Sequence, residues 1–321
     1  MIAFVFPGQG SQKVGMGQAL AETFPVCRET FEEADAALGW PLSRLCFSGP
    51  EDELALTMNT QPATLAVSIA ACRLLASRGL VPAFVAGHSL GEYSANVAAG
   101  TFGFADALTT VHRRGRYMQE AVPVGTGAMA AVLGLDAELV AQACREAEEE
   151  KGAEEEQGAG NVVSPANLNG AGQVVIAGTR DAVTRAGERA KALGAKRVIP
   201  LPVSAPFHCA LMKPAEERLA PELRALVTAD PRVPIVANVD AEPKRDASAA
   251  IEALVAQVSA PVRWEAVVRR LASEGVTTYV EVGPGTVLSG LVRKIDRDAR
   301  VLSCGVPGDL AALDVLMEVK R

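Results

Sequence analysis

"VAGHSLGEY", residues 85–93, sets one serine between two glycines, Gly87-His88-Ser89-Leu90-Gly91. The run before it, "VPAFVAG" (81–87), carries β-branched and aromatic residues and ends in glycine, whereas "LGEYSANVAA" (90–99) is rich in helix formers. A strand, a tight turn and a helix are therefore predicted, with Ser89 at the turn. A residue at so sharp a turn is held in a strained backbone conformation. Side chains two positions to either side would strike the neighbouring strand and helix, a clash that glycine avoids. The turn also aims the first amides of the helix, beginning with Leu90, at any oxygen bound beside Ser89. This is the arrangement of a nucleophile with half of an oxyanion hole; the competing reading is a turn of small residues without chemistry.

Working outward, strand-like and helix-like segments alternate, the grammar of an α/β protein with a mainly parallel sheet. "IAFVF" (2–6) reads as the first strand and "FVAG" (84–87) as the strand of the elbow. The grammar changes after Gly125, where "GAMAAVLGL", "DAELVAQACREAEEE", "VVSPANL", "QVVIAG", "RDAVTRAGERAKALG" and "KRVIPLPV" follow in the order β-α-β-β-α-β. That order is ferredoxin-like. The expectation is a compact insert over 127–199 within a larger discontinuous domain over 1–126 and 200–321, to which "VTTYVEVGPG" (276–285) returns.

The 321 residues, 49% hydrophobic, suffice for a full buried core. "MIAFVF" is too short for a signal sequence and no segment approaches a membrane span, so a cytoplasmic protein without membrane contact is expected. The six cysteines (27, 46, 72, 144, 209, 304) lack metal-ligand spacing, which favours free thiols and no metal. The net charge of −7 is local. "EAEEEKGAEEE" (146–156) holds seven Glu and one Lys, so the rest of the chain carries only −1. Such a run reads as a solvated helix end or loop. With 4% aromatic residues and a pI of about 5.2, nucleic-acid binding is not expected.

Ser89 at its ordinary pKa is a feeble nucleophile and needs a base. Only three histidines are available: His88 in the turn, His112 in the helix-like "DALTTVHRRGRYMQEA", and His208 in the proline-punctuated "VSAPFHCAL". His208, on a loop after the insert, is the best placed. A base usually needs a carboxylate on its other ring nitrogen; Asp240 and Glu281 are available, and neither has a context that nominates it.

Taken together, the motifs resemble the malonyl-CoA:acyl carrier protein transacylases. The matching stretches are "FPGQGSQ" (6–12), "TQPA" (60–63), "GHSLGEYSA" (87–95), "RRGRYMQ" (113–119), "APFHCALMKPA" (205–215), "NVD" (238–240) and "EVGPGTVLSGL" (281–291). They occur in the family's order over nearly the whole chain. The resemblance implies an α/β-hydrolase-like domain carrying a ferredoxin-like subdomain. It also implies a ping-pong reaction. The serine matching Ser89 takes malonyl from coenzyme A and yields it to the phosphopantetheine thiol of an acyl carrier protein, with the histidine matching His208 as base.

In the family a backbone carbonyl replaces the triad carboxylate, at the position of Gln257, and the amides of Gln9 and Leu90 form the oxyanion hole. "GQGSQ" fits that role better than phosphate binding, because the third glycine of a dinucleotide fingerprint would fall on Lys13. Leu108, Val111, Gly115 and Met118 share one helix face at about 100° per residue, and of the three neighbouring arginines Arg114 projects closest to it. Arg114 also matches the family's malonyl-carboxylate clamp. On this reading it touches only that carboxylate, away from the carbonyl that Ser89 attacks. Gln61 is expected to be a polar pocket neighbour, and Phe207 to leave little room for an α-methyl branch. No cofactor is implied; the partners are coenzyme A thioesters and an acidic carrier protein, with Lys191, Lys196, Arg197, Arg293 and Lys294 as docking candidates, and a monomer is expected. The alternatives are a trans-acting acyltransferase of a polyketide synthase and a serine thioesterase or hydrolase.

Overall fold

Four of the five residues of β1 (Ile2–Phe6) are buried, as befits a strand covered on both faces. It pairs in parallel with β2 (Phe84–Gly87) through Ala3↔Phe84 to Phe6↔Gly87. Parallel neighbours require a crossover. Here it includes the 21-residue helix Thr57–Ser77, buried along most of its length. In this computed structural model, which describes residues 1–150, 161–203 and 205–318, the main sheet has six strands in the order β10-β9-β1-β2-β7-β8. Its other members are β7 (Ile235–Val236), β8 (Pro243–Lys244), β9 (Thr278–Val282) and β10 (Arg300–Cys304). Every pairing is parallel except β7 with β8.

The expected β-α-β-β-α-β run forms a second, antiparallel sheet. Its strands β3 (Gly127–Leu133), β4 (Val163–Gly170), β5 (Gln173–Thr179) and β6 (Arg197–Pro200) lie in the order β4-β5-β3-β6. Helices Ala137–Glu149 and Arg180–Ala192 bury Val140, Ala143, Ala147, Ala182 and Ala186 with Val132, Val174 and Ile176 of the strands. Each such Val or Ile contributes roughly 1.5–3 kcal/mol when fully buried, and each Ala about 0.8 kcal/mol for its single carbon.

By its internal contacts the chain divides into two compact units. One comprises Met1–Arg116, Glu222–Leu254 and Val267–Arg321; the other comprises Tyr117–Pro221 and Val255–Ala266. The second unit is wider than the expected insert of 127–199, for a reason visible in its hydrogen bonds. The open edge of β4 is covered by the later segment: Leu168 N–H donates to Val262 C=O and Val262 N–H to Ala166 C=O, both at 2.8 Å. This isolated bridge pairs the middle of the β4 edge, which shortens the ladder left to offer another chain. The acidic run begins in the last turns of helix Ala137–Glu149, and its residues 151–156 lie outside the described residues.

Candidate functional site

One residue, His88, separates Ser89 from the end of β2, and Ser89 caps helix Leu90–Ala99 with φ 52° and ψ −107°. This left-handed, sparsely populated geometry costs about 1–3 kcal/mol for a non-glycine residue. The flanking glycines are required sterically. A Cβ on Gly87 would lie 1.9 Å from the Gly91 carbonyl carbon, and one on Gly91 would lie 2.0 Å from the Phe6 carbonyl oxygen. The loop after β1 runs against the same turn, since a Cβ on Gly8 would meet the His88 carbonyl oxygen at 2.5 Å. Gln9 is thereby brought to the elbow, its side chain donating to Thr57 Oγ1 at 3.3 Å. Leu90, the first helical residue, carries one of the amides an α-helix leaves without an internal partner.

Arg114 reaches this point through a chain of causes that begins at Pro62. A proline inside a helix has no N–H for the carbonyl four residues earlier, here Met58. His112 Nδ1 lies 2.9 Å from that carbonyl oxygen. Because a carbonyl only accepts, Nδ1 carries the proton, and His112 holds the two helices together. The helices approach closely at Gly115, where a Cβ would stand 2.6 Å from Met58 Cα. The helix Phe104–Glu120 then buries Leu108, Val111 and Met118 along with Arg114, while Arg113 and Arg116 are exposed.

Arg114, 2% exposed, donates through Nη1 to Gln61 Oε1 at 2.8 Å and through Nη2 to Ser89 Oγ at 3.1 Å. Its guanidinium also lies 5.2 Å from the ring centre of Tyr93, within cation–π range. Burial lowers the Arg114 pKa, and Tyr93 and Glu92 draw it back upward. The Tyr93 hydroxyl, desolvated as well, is pushed up to about 12. The guanidinium is therefore hydrogen-bonded to the serine oxygen itself, a contact that a role toward the malonyl carboxylate alone does not lead one to expect. Tyr93, a helix residue within the elbow motif, gives no functional signal in the sequence because an aromatic there reads as core.

In the second unit, His208 is 3% exposed and has φ 61°. Its Nδ1 lies 2.9 Å from the carbonyl oxygen of Gln257, the last residue of helix Ala247–Gln257. The same donor logic fixes the proton on Nδ1, leaving Nε2 of the neutral ring as an acceptor. Neither considered carboxylate holds that nitrogen. Asp240 pairs with Lys244, and buried Glu281 accepts the amides of Leu288 and Ser289 at 3.0 and 2.6 Å. Desolvation raises the Glu281 pKa, and those helix amides oppose the rise. Phe207 is buried beside His208. The adjacent Cys209 is an unsuitable nucleophile: burial pushes its thiol up to about 11, and its Sγ donates to the Pro206 carbonyl at 3.1 Å. Ser89 and His208 are two of the four non-glycine residues with positive φ among the described residues, and such strain concentrates at functional positions.

Among the described residues, no three His, Cys, Asp or Glu side chains are grouped to hold a metal ion, and no helix is long and apolar enough to cross a membrane. A parallel-sheet α/β fold with a serine on a strained strand-to-helix elbow defines a class, the serine acyltransferases and hydrolases. The family described as acyl transferase domain matches residues 3–310. The malonyl CoA-acyl carrier protein transacylase of Salmonella typhimurium is 51% identical over 311 residues, 97% of each chain. That of Bacillus subtilis is 50% identical over 306 residues, 95% of this chain and 94% of its own. The crystal structure of an acyl carrier protein S-malonyltransferase from Vibrio cholerae superposes with a TM-score of 0.92 at 47% identity, covering 97% of this chain and 99% of that one. A malonyl-transacylase solved in complex with its type II polyketide acyl carrier protein superposes with a TM-score of 0.91, also at 47% identity. The chain belongs to the acyl transferase family, among the malonyl CoA-acyl carrier protein transacylases.

Proposed function

We propose that this chain moves malonyl from malonyl-CoA to the phosphopantetheine thiol of an acyl carrier protein, supplying fatty-acid synthesis. Ser89 is the nucleophile, and no cofactor takes part. Ser89 Oγ attacks the thioester carbonyl carbon while Nε2 of His208 takes its proton; the amides of Gln9 and Leu90 stabilise the oxyanion. The C–S bond breaks, the imidazolium returns the proton to the departing thiolate, and malonyl remains as an ester on Ser89. The carrier thiol then gives its proton to His208 and attacks the ester; as the C–O bond breaks, the imidazolium passes that proton to Ser89 Oγ and the serine hydroxyl is restored. The Gln257 carbonyl keeps His208 in the required tautomer without adding a charge.

Arg114 is the carboxylate clamp. When malonyl enters, its carboxylate replaces Ser89 Oγ as the acceptor for the guanidinium, so binding substrate also releases the nucleophile. Gln61 holds the other arm of the guanidinium, a bidentate presentation lysine cannot make. Phe207 limits the room beside the acyl chain. The protein acts as a monomer in the cytoplasm, with 127–199 as its ferredoxin-like subdomain.

The observation that carries this reading is the buried Arg114 hydrogen-bonded to a serine on a strained elbow. Initial rates of transfer test it when malonyl-CoA and phosphopantetheinylated carrier are varied together. Parallel double-reciprocal lines are expected. Intersecting lines would exclude the acyl-serine route, and malonate release without transfer would establish a thioesterase instead.

A further inference from the structure

Asn238 belongs to the "NVD" stretch, to which the reaction above gives no role. It is fully buried, and it makes three hydrogen bonds to the elbow. Its Oδ1 accepts from the Ser89 N–H at 2.7 Å, and its Nδ2–H donates to the Gly87 carbonyl at 2.7 Å. Its own backbone N–H donates to Glu92 Oε2 at 3.0 Å, within the helix that Ser89 caps. The strand register explains the fit. β2 and β7 pair in parallel with Val85↔Ile235 and Ala86↔Val236. Continued by two residues, the register sets Asn238 opposite His88. In a parallel ladder the residue opposite His88 would donate its N–H to the carbonyl of residue 87 and accept the N–H of residue 89. The backbone cannot do this, because β7 ends at Val236 and the chain turns back, with Ala241 N–H donating to Ala237 C=O at 3.0 Å. The Asn238 carboxamide, a peptide group on a side chain, makes both bonds instead.

We propose that Asn238 is a positioning residue for the nucleophile, extending the sheet ladder by one side-chain step to hold Ser89 in its strained conformation. It acts through the Ser89 backbone. The side chain fixes both peptide groups that flank His88, so the φ of Ser89 and the direction of the Leu90 amide are determined together. Asparagine is required because one group must accept and donate from adjacent atoms: aspartate loses the donor, and leucine loses both. Glu92, buried beneath the first turn, completes the clamp by fixing the Asn238 backbone.

This inference rests on the Ser89 ester proposed above, and the test separates the two. The first-order rate of Ser89 acylation at saturating malonyl-CoA and at saturating acetyl-CoA, and the KM for each, are measured by rapid quench for the parent, Asn238→Ala and Asn238→Asp. A thermal melt confirms that each variant is folded at the assay temperature. If the parent itself forms no acyl-serine, the reading beneath the proposal fails. With an acylating parent, Asn238→Ala should slow acylation about 100-fold, the scale of a small misplacement of a reacting group. KM should stay within about threefold of the parent, and the two acyl groups should slow equally, since the clamp does not touch the acyl chain. The Asp variant has the same volume, and it decides the matter if the Ala variant does not fold; it should slow acylation at least about tenfold. Parent-like acylation in a folded variant would reduce Asn238 to a ladder residue without influence on the nucleophile. A loss confined to KM or to malonyl would make it a substrate contact.

Discussion

Replacing Arg114 by alanine separates acyl selectivity from acyl chemistry. The side chain is almost completely buried and bonded on two sides, to Gln61 Oε1 and Ser89 Oγ. A malonyl carboxylate entering the variant pocket would lose a desolvated, charge-assisted partner. Such losses are about 2–5 kcal/mol, or roughly 30-fold to several-thousand-fold in kcat/KM. Acetyl-CoA brings no carboxylate. In the parent, an acetyl group brings no carboxylate to draw the Nη2 arm away from Ser89 Oγ, and that hydrogen bond engages lone-pair density on the attacking oxygen and so weakens it as a nucleophile. In Arg114→Ala that competing donor is gone, so acetyl transfer should equal or exceed the parent's. Arg114→Lys keeps the charge and loses the fork, and should lie between the two. The assay is kcat/KM for malonyl-CoA and acetyl-CoA with one carrier concentration and one buffer. An equal fall for both substrates would refute the clamp and make Arg114 a structural or coenzyme A-binding residue.

His208→Ala should fold and yet acylate Ser89 about 10²- to 10⁴-fold more slowly, as loss of a general base does; rapid quench with malonyl-CoA measures it, and a parent-like rate would end the assignment. His112→Ala removes the donor to the Met58 carbonyl and the ring that lies 6.0 Å from the Trp40 ring, so it should lower stability by about 1 kcal/mol or more in urea titration and spare the acylation rate. Gly91→Ala drives a Cβ against the Phe6 carbonyl, where only backbone could move, and should cost at least about 1–3 kcal/mol in the same titration. If the acidic carrier docks on Lys191, Lys196 and Arg197, all exposed, added salt should raise its KM while the KM for malonyl-CoA changes less. A KM for carrier that is flat with salt would remove the electrostatic part of docking.

The elbow was legible because its constraint is local: a strand, a strained residue and a helix within nine positions demand glycine at 87 and 91, and both glycines prove to be in backbone contact. Arg114 was legible because a 3.6-residue period separates one arginine of three from solvent. The ferredoxin-like order was legible from alternation alone, but not the extent of the compact unit around it, because the pairing of Val262 with β4 joins residues nearly a hundred positions apart. The acceptor for His208 could not be found from side chains, since it is a main-chain carbonyl; only the resemblance pointed to Gln257. The bond from Arg114 to Gln61 depends on how near two helices approach at Gly115, and the bond to Ser89 on a third helix, distances that no periodicity encodes. The role of His112 could have been read, because a proline within a helix frees the carbonyl four residues back. Asn238 stands within a motif, but its meaning lies in the register of β2 against β7.

The central claim is a malonyl ester on Ser89, and the most direct measurement is the intact mass of the protein. It is taken after mixing with malonyl-CoA alone and again after adding phosphopantetheinylated carrier, with peptide mapping of the adduct. The account predicts one malonyl unit per chain, carried on the peptide that contains Ser89, absent in Ser89→Ala, and moved onto the carrier faster than water removes it. A mass unchanged by malonyl-CoA in folded protein, or an adduct on any residue other than Ser89, would contradict it.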